Sequence, residues 1–125
     1  EFFRLMRAST VDKDAFLTAE REWFFAAAAV ELAERRQLRL SFMNLDGQVV
    51  ASNISIDYAG AYLLYNSGYD PAYSQLAVGF VNKALTIKEA IEQGRGRFEF
   101  LRGTERYKYD LGATDTSVYS VVVRR

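Results

Sequence analysis

The sequence predicts an α/β domain of the α+β kind, a mixed central sheet with a long crossover helix, and three observations predict it. Alternating apolar residues run through Gln37 to Leu45 and Gln48 to Tyr58, on either side of Asp46-Gly47, a pair suited to the positive φ of a tight hairpin. Ala61 to Asn66 then reads as a third strand with few charges, as a central strand requires. Finally, Leu76, Phe80, Ala84, Ile87 and Ile91 recur at helical spacing before Arg97 to Leu101 alternates again around Phe98 and Phe100. A helix between neighbouring strands makes them parallel through a right-handed crossover.

Taken in order, Phe2 to Met6 reads as a short leading strand. Thr10 or Asp12 supplies an N-cap for a helix from Lys13 to Arg36. Its apolar stripe is Phe16, Ala19, Trp23, Ala27, Val30 and Ala33 or Glu34, widened by Phe24 and Phe25. A buried helix face accounts for that density, and a cofactor or partner surface is the alternative. The hairpin and the third strand follow, joined by a turn at Ala59-Gly60. On the crossover helix Val78, Val81 and Leu85 broaden the buried face, Lys83, Lys88, Glu89 and Glu92 lie off it, and Gly94 stops it. Thr104 to Asp110 forms a short helix or turn. Ser117 to Val123 closes as another strand, interior or awaiting a missing partner. No repeat or linker divides residues 1–125, which read as a single domain; the absent initiator and the strand-like end read as one lobe of a longer protein.

Composition narrows the chemistry. Half of the 125 residues are apolar and 26% are charged, ordinary for a chain that buries a core. Sixteen basic residues balance sixteen acidic ones, so no global field recruits nucleic acid or an anionic membrane. The chain has neither cysteine nor histidine, which excludes a Ser-His-Asp or Cys-His site and leaves a metal only carboxylate or carbonyl ligands. Any acid or base must be Asp, Glu, Tyr or Lys. The most apolar run, Trp23 to Ala33, is too short to span a bilayer and contains Glu31. Absence of cysteine is compatible with a reducing, cytoplasmic compartment.

A strand that feeds a loop into a helix leaves backbone N–H groups free for an anion. Tyr69-Asp70-Pro71-Ala72-Tyr73-Ser74-Gln75-Leu76-Ala77-Val78-Gly79 has that form. Asp70-Pro71 or Ser74 acting as an ordinary helix cap is the plainer account of the same residues.

Tyr65 to Tyr73, Gly79, and Phe98-Glu99-Phe100-Leu101-Arg102-Gly103-Thr104-Glu105-Arg106-Tyr107-Lys108 together resemble motifs of the GNAT acyltransferase fold. The finer likeness is to cellulose-biosynthesis-associated acetyltransferases, relatives of the FemAB aminoacyltransferases. The chain departs from that pattern in having Glu99 for an aspartate and Ala77-Val78-Gly79 for a Ser-Pro-Gly turn. The resemblance implies transfer of an acyl group, acetyl from acetyl-CoA, to an amine or sugar-linked acceptor, with a role in bacterial envelope or exopolysaccharide metabolism. It implies donor contacts at Ser74, Gln75, Ala77, Val78 and Gly79, Tyr107 as proton donor to the thiolate, and Glu99 as the base.

Each role has a plainer counterpart. Tyr107 would pack with its hydroxyl bonded. Glu99 would pair with Arg97, Arg102 or Lys108. Arg95, Arg97, Arg102, Arg106 and Lys108 would either meet the donor's 3′-phosphate or an anionic acceptor, or form a solvated edge. Larger relatives carry an upstream lobe, so a second GNAT lobe or a homodimer is an expected partner. The alternatives in function are FemAB-like transfer from an aminoacyl-tRNA and a degenerate, non-catalytic lobe that scaffolds a partner.

Overall fold

A computed structural model describes residues 1–125. Three helices lead, α1 (Phe2–Ser9), α2 (Val11–Phe16) and α3 (Ala19–Glu34). Strands β1 (Leu38–Leu45), β2 (Gln48–Tyr58) and β3 (Ala61–Tyr69) follow, then a 3-10 turn at Pro71–Leu76, helix α4 (Val78–Glu92), strand β4 (Arg97–Glu99) and helix α5 (Arg106–Asp110). The sheet runs β1-β2-β3-β4, antiparallel except for the last pair, which the α4 crossover makes parallel. This is the mixed α+β architecture expected, with β3 inside the sheet. Asp46 and Gly47 (φ 49° and 83°) turn the first hairpin, and Ala59 and Gly60 (φ 50° and 77°) turn the second.

The leading segment corrects the sequence reading. Phe2 to Met6 is helix, because Phe2, Leu5, Met6 and Ser9 are the buried positions. That three- and four-residue spacing fits one helical face, whereas strand alternation would have placed Arg4 beside Phe2 and Met6. The α1 backbone sits directly on β3 at Gly68, where an added Cβ would lie 2.3 Å from Met6 N. Phe2 and Met6 join Leu17 in a small core, with Phe25 and Ile54 packed against it.

The long helix from Lys13 to Arg36 is also corrected. It breaks at Leu17, which leaves helical geometry to bury its side chain (φ −84°, ψ 70°). Thr10 caps α2 through the Lys13 N–H, and Thr18 caps α3 through the Arg21 N–H. No residue of α3 is fully buried, and Trp23 stands 73% exposed with Phe24 and Val30 also outside. Phe25 alone of its aromatics reaches inward, its ring 5.7 Å from that of Tyr65.

Helix α4 buries Val78, Asn82, Lys83, Thr86 and Ala90, while Phe80, Val81, Leu85 and Ile91 are exposed and Leu76 belongs to the preceding turn. The expected apolar stripe is therefore rotated outward. The cause lies on β2, where Asn53 is buried and finds its side-chain partner on the helix, while the buried hydroxyls of Ser52 and Ser55 make no hydrogen bond. Asn53 Nδ2 donates to Thr86 Oγ1 at 2.9 Å, and that hydroxyl donates to Asn82 O at 2.9 Å. Gly94 (φ 71°) ends α4 as expected, with Arg95 N–H bonded to Ala90 O and Gly94 N–H to Ile91 O, both at 2.9 Å.

Ser117 to Val123 is not a strand. These residues are irregular and exposed, Val118 at 95%, because no neighbouring ladder supplies them with backbone partners.

Candidate functional site

The β3–β4 ladder ends where Leu63 meets Glu99, yet β3 continues to Tyr69. Its far half is thus an open edge. Asp70 N–H points back to Val50 O on β2, so by strand alternation Tyr69 and Ser67 direct their backbone groups to the open side. Two side chains meet Ser67 there: Asn66 Oδ1 accepts its N–H at 2.8 Å, and Lys13 Nζ donates to its carbonyl.

Beyond Tyr69 the chain turns into α4. Asp70 Oδ1 accepts from Ala72 N–H at 3.0 Å, so this aspartate caps the 3-10 turn and leaves α4 to begin without a side-chain cap. Ala77, in left-handed geometry (φ 50°, ψ 36°), makes the corner. Its N–H is donated to Ser74 O at 2.9 Å, which corrects the expectation that Ala77 offers an amide to a ligand. The first α-helical bond of α4 is Val81 N–H to Ala77 O, at 3.0 Å. Val78 and Gly79 therefore occupy the first turn, where N–H groups lack intrahelical acceptors.

A cavity of about 220 Å³ opens at this corner. Ser74, Ala77, Val78 and Gly79 of the expected donor contacts line it, with Tyr69, Phe80, Lys83 and Tyr107. Gln75 and Glu99 do not. Gln75 is exposed on the 3-10 turn, and Glu99 accepts an ion pair from Arg97 Nε at 2.7 Å. That pairing is the plainer of the two accounts of Glu99.

Tyr107 is half-buried at the start of α5, edge-on to Phe100 with ring centroids 6.1 Å apart. Burial pushes its phenol pKa up, and the Glu105 charge adds to this. Lys108 is buried behind it and staples the loop, donating to Arg102 O at 2.9 Å and Gly103 O at 3.3 Å and pairing with Glu105 at 2.9 Å. The hydrogen bond from Lys108 holds the Glu105 carboxyl below the usual range, against the opposing effect of burial. The basic cluster is largely engaged internally: Arg95 binds Asp57 and Arg97 binds Glu99.

Lys83 is the cavity residue that helical periodicity misplaced. It sits among the small and polar positions Gly79, Asn82 and Thr86, a stripe with far less apolar character than Phe80, Ala84 and Ile87. Its Nζ lies 4.8 Å from the Tyr107 ring centroid and donates to Gly79 O at 3.2 Å. Burial drives its pKa down to about 8, and the charge of Lys13 adds to the shift.

A family model described as an acetyltransferase (GNAT) domain matches residues 1–109. No curated protein and no solved structure gave a significant match. No helix is long and apolar enough to cross a membrane.

Proposed function

This chain belongs to the GNAT acetyltransferase domain family, and from that premise we propose that it transfers an acyl group, acetyl from acetyl-CoA, to an amine or a sugar-linked acceptor. The observation that carries this reading is the meeting of the open β3 edge, the uncapped start of α4 and Tyr107 at one cavity. The open edge offers backbone partners to the amide-bearing arm of the donor. The first turn of α4, at Val78 and Gly79, offers N–H groups to its diphosphate.

The chemistry demands little covalent machinery. A neutral amine attacks the thioester carbonyl carbon, a C–N bond forms, the C–S bond breaks, and the thiolate takes a proton. The half-buried Tyr107 phenol, its pKa raised, holds its proton until the thiolate appears, which suits the role of donor. In this reading the acceptor amine enters unprotonated, and the proton it loses once the C–N bond has formed passes to solvent.

The test is CoA release and product mass across a panel of amines and amino sugars, for the native chain and Tyr107→Phe. Product formation that falls about 10²-fold or more in the variant supports the reading. No product from any acceptor, or unchanged turnover in Tyr107→Phe, counts against the activity or the tyrosine respectively. A strongly salt-dependent RNA affinity would instead favour aminoacyl-tRNA as donor.

A second reading, a non-catalytic lobe covered by a second lobe or another copy, is supported by the exposed Trp23, Phe24 and Val30 on α3. It expects no saturable heat when acyl-CoAs are titrated into the protein.

A further inference from the structure

Lys83 is 7% exposed and takes part in none of the ion pairs of the molecule. An ammonium has three N–H donors, and the only oxygen that accepts from this one is the Gly79 carbonyl, at 3.2 Å. That bond draws Nζ back along its own helix to the first turn of α4. A cation there faces the positive end of the helix dipole, which opposes it. The Tyr107 ring offers a partial counter-field at 4.8 Å. Lys13 adds a second ammonium nearby that forms no ion pair, its contact being the Ser67 carbonyl and the Glu105 charge offsetting it only in part.

Burial without a counter-ion, the wrong end of a helix and a like charge nearby all act against keeping a lysine at this position. An apolar side chain would be more stable there. The same three features all favour an anion. A group with several acceptor oxygens, seated in the cavity, can accept from the free N–H groups of α4 and from Nζ, and it offsets the Lys13–Lys83 repulsion.

We propose that Lys83 is a donor-binding residue, its ammonium serving as the counter-charge for a phosphate group of the acyl donor held at the start of α4. The assignment rests on the acyltransferase reading above and adds to it a side-chain contact.

The test is calorimetric titration of the full chain and of Lys83→Met and Lys83→Gln with CoA, inorganic pyrophosphate and pantetheine. The two variants are expected to bind CoA and pyrophosphate at least about tenfold more weakly, to bind pantetheine as the native chain does, and to melt at or above its temperature. Variants that bind CoA as tightly as the native chain overturn the role of Lys83 and leave acyl transfer standing. An equal loss for pantetheine overturns the phosphate contact, and a lower melting temperature overturns the unpaired charge. A native chain that binds pyrophosphate but not CoA overturns acyl transfer and leaves a free-phosphate site; one that binds neither overturns both readings.

Discussion

The Nζ of Lys13, on the short helix α2, donates to the carbonyl oxygen of Ser67 on the open edge of β3. A side chain from outside the sheet thus occupies an acceptor that a strand, or a ligand imitating one, would otherwise use. Burial lowers the pKa of this lysine, with Glu105 acting in the opposite sense.

Removing that side chain is expected to free the edge. Lys13→Ala should bind pantetheine several-fold more tightly, reflecting about 1 kcal/mol of competition removed. Pantetheine is the probe because it carries no phosphate, so the lost charge does not enter. Weaker binding in a competition titration would make Lys13 a ligand contact instead of a competitor.

Lys83 carries a pH signature of known sign. Its folded pKa is about 8 against an ordinary 10.5, so between those values the unfolded chain holds a proton that the folded chain has released. Stability contributed by this group therefore rises with pH through that window. Tyr107, with its raised pKa, acts oppositely only above pH 10. Denaturant unfolding between pH 7 and 10 should show the native chain gaining on Lys83→Met. At pH 7 the variant should be the more stable by about 1–3 kcal/mol. A constant difference across the range would contradict the buried charge.

Gly68 is required by contact, since its φ lies outside the left-handed region while an added Cβ would meet Met6 N at 2.3 Å and Leu5 C at 2.4 Å. Both are backbone atoms that cannot step aside singly. Gly68→Ala should force α1 off the sheet and lower unfolding stability by about 2–3 kcal/mol. An unchanged urea midpoint would show that α1 is not held as described.

At the opposite end of the sheet Asp57 receives Arg95 through Nε at 2.7 Å and Nη2 at 2.8 Å, and Arg39 Nη2 at 2.8 Å. The hydrogen bonds from Arg95 are the chief reason its carboxyl is held below the ordinary range, with Arg39 contributing and burial opposing. Its stabilisation is present above the ordinary carboxylate pKa and is lost as pH falls through the lowered one. Asp57→Asn should cost about 2 kcal/mol at pH 7, and the difference from the native chain should shrink in acid. Chemical denaturation at both pH values measures it.

Much of this architecture is legible in the residues themselves. Asp46-Gly47 and Ala59-Gly60 announce their turns because few residues accept positive φ, and Gly94 announces the end of α4 for the same reason. The strands between them follow. What periodicity could not supply was the direction of each apolar face. The stripe on α3 has no partner within this chain, and α4 turns a polar face inward because Asn53 needs one. The corner from Ser74 to Gly79 draws notice by its turn-then-helix form and Tyr107 by family likeness, and Ser74, Ala77, Val78, Gly79 and Tyr107 line the cavity while Gln75 does not. Lys83 draws none, since its meaning depends on a contact with Tyr107 formed only in three dimensions.

Strand β4 lies at the edge of the sheet and spans three residues, while Ser117 to Val123 stays exposed in the same chain. One is a short template with vacant hydrogen-bonding positions, the other a β-prone ribbon without a template. Pairing of one with the other between two molecules would be second order in concentration, so any haze in solutions of this chain is expected to recede on dilution, which light scattering across a dilution series measures.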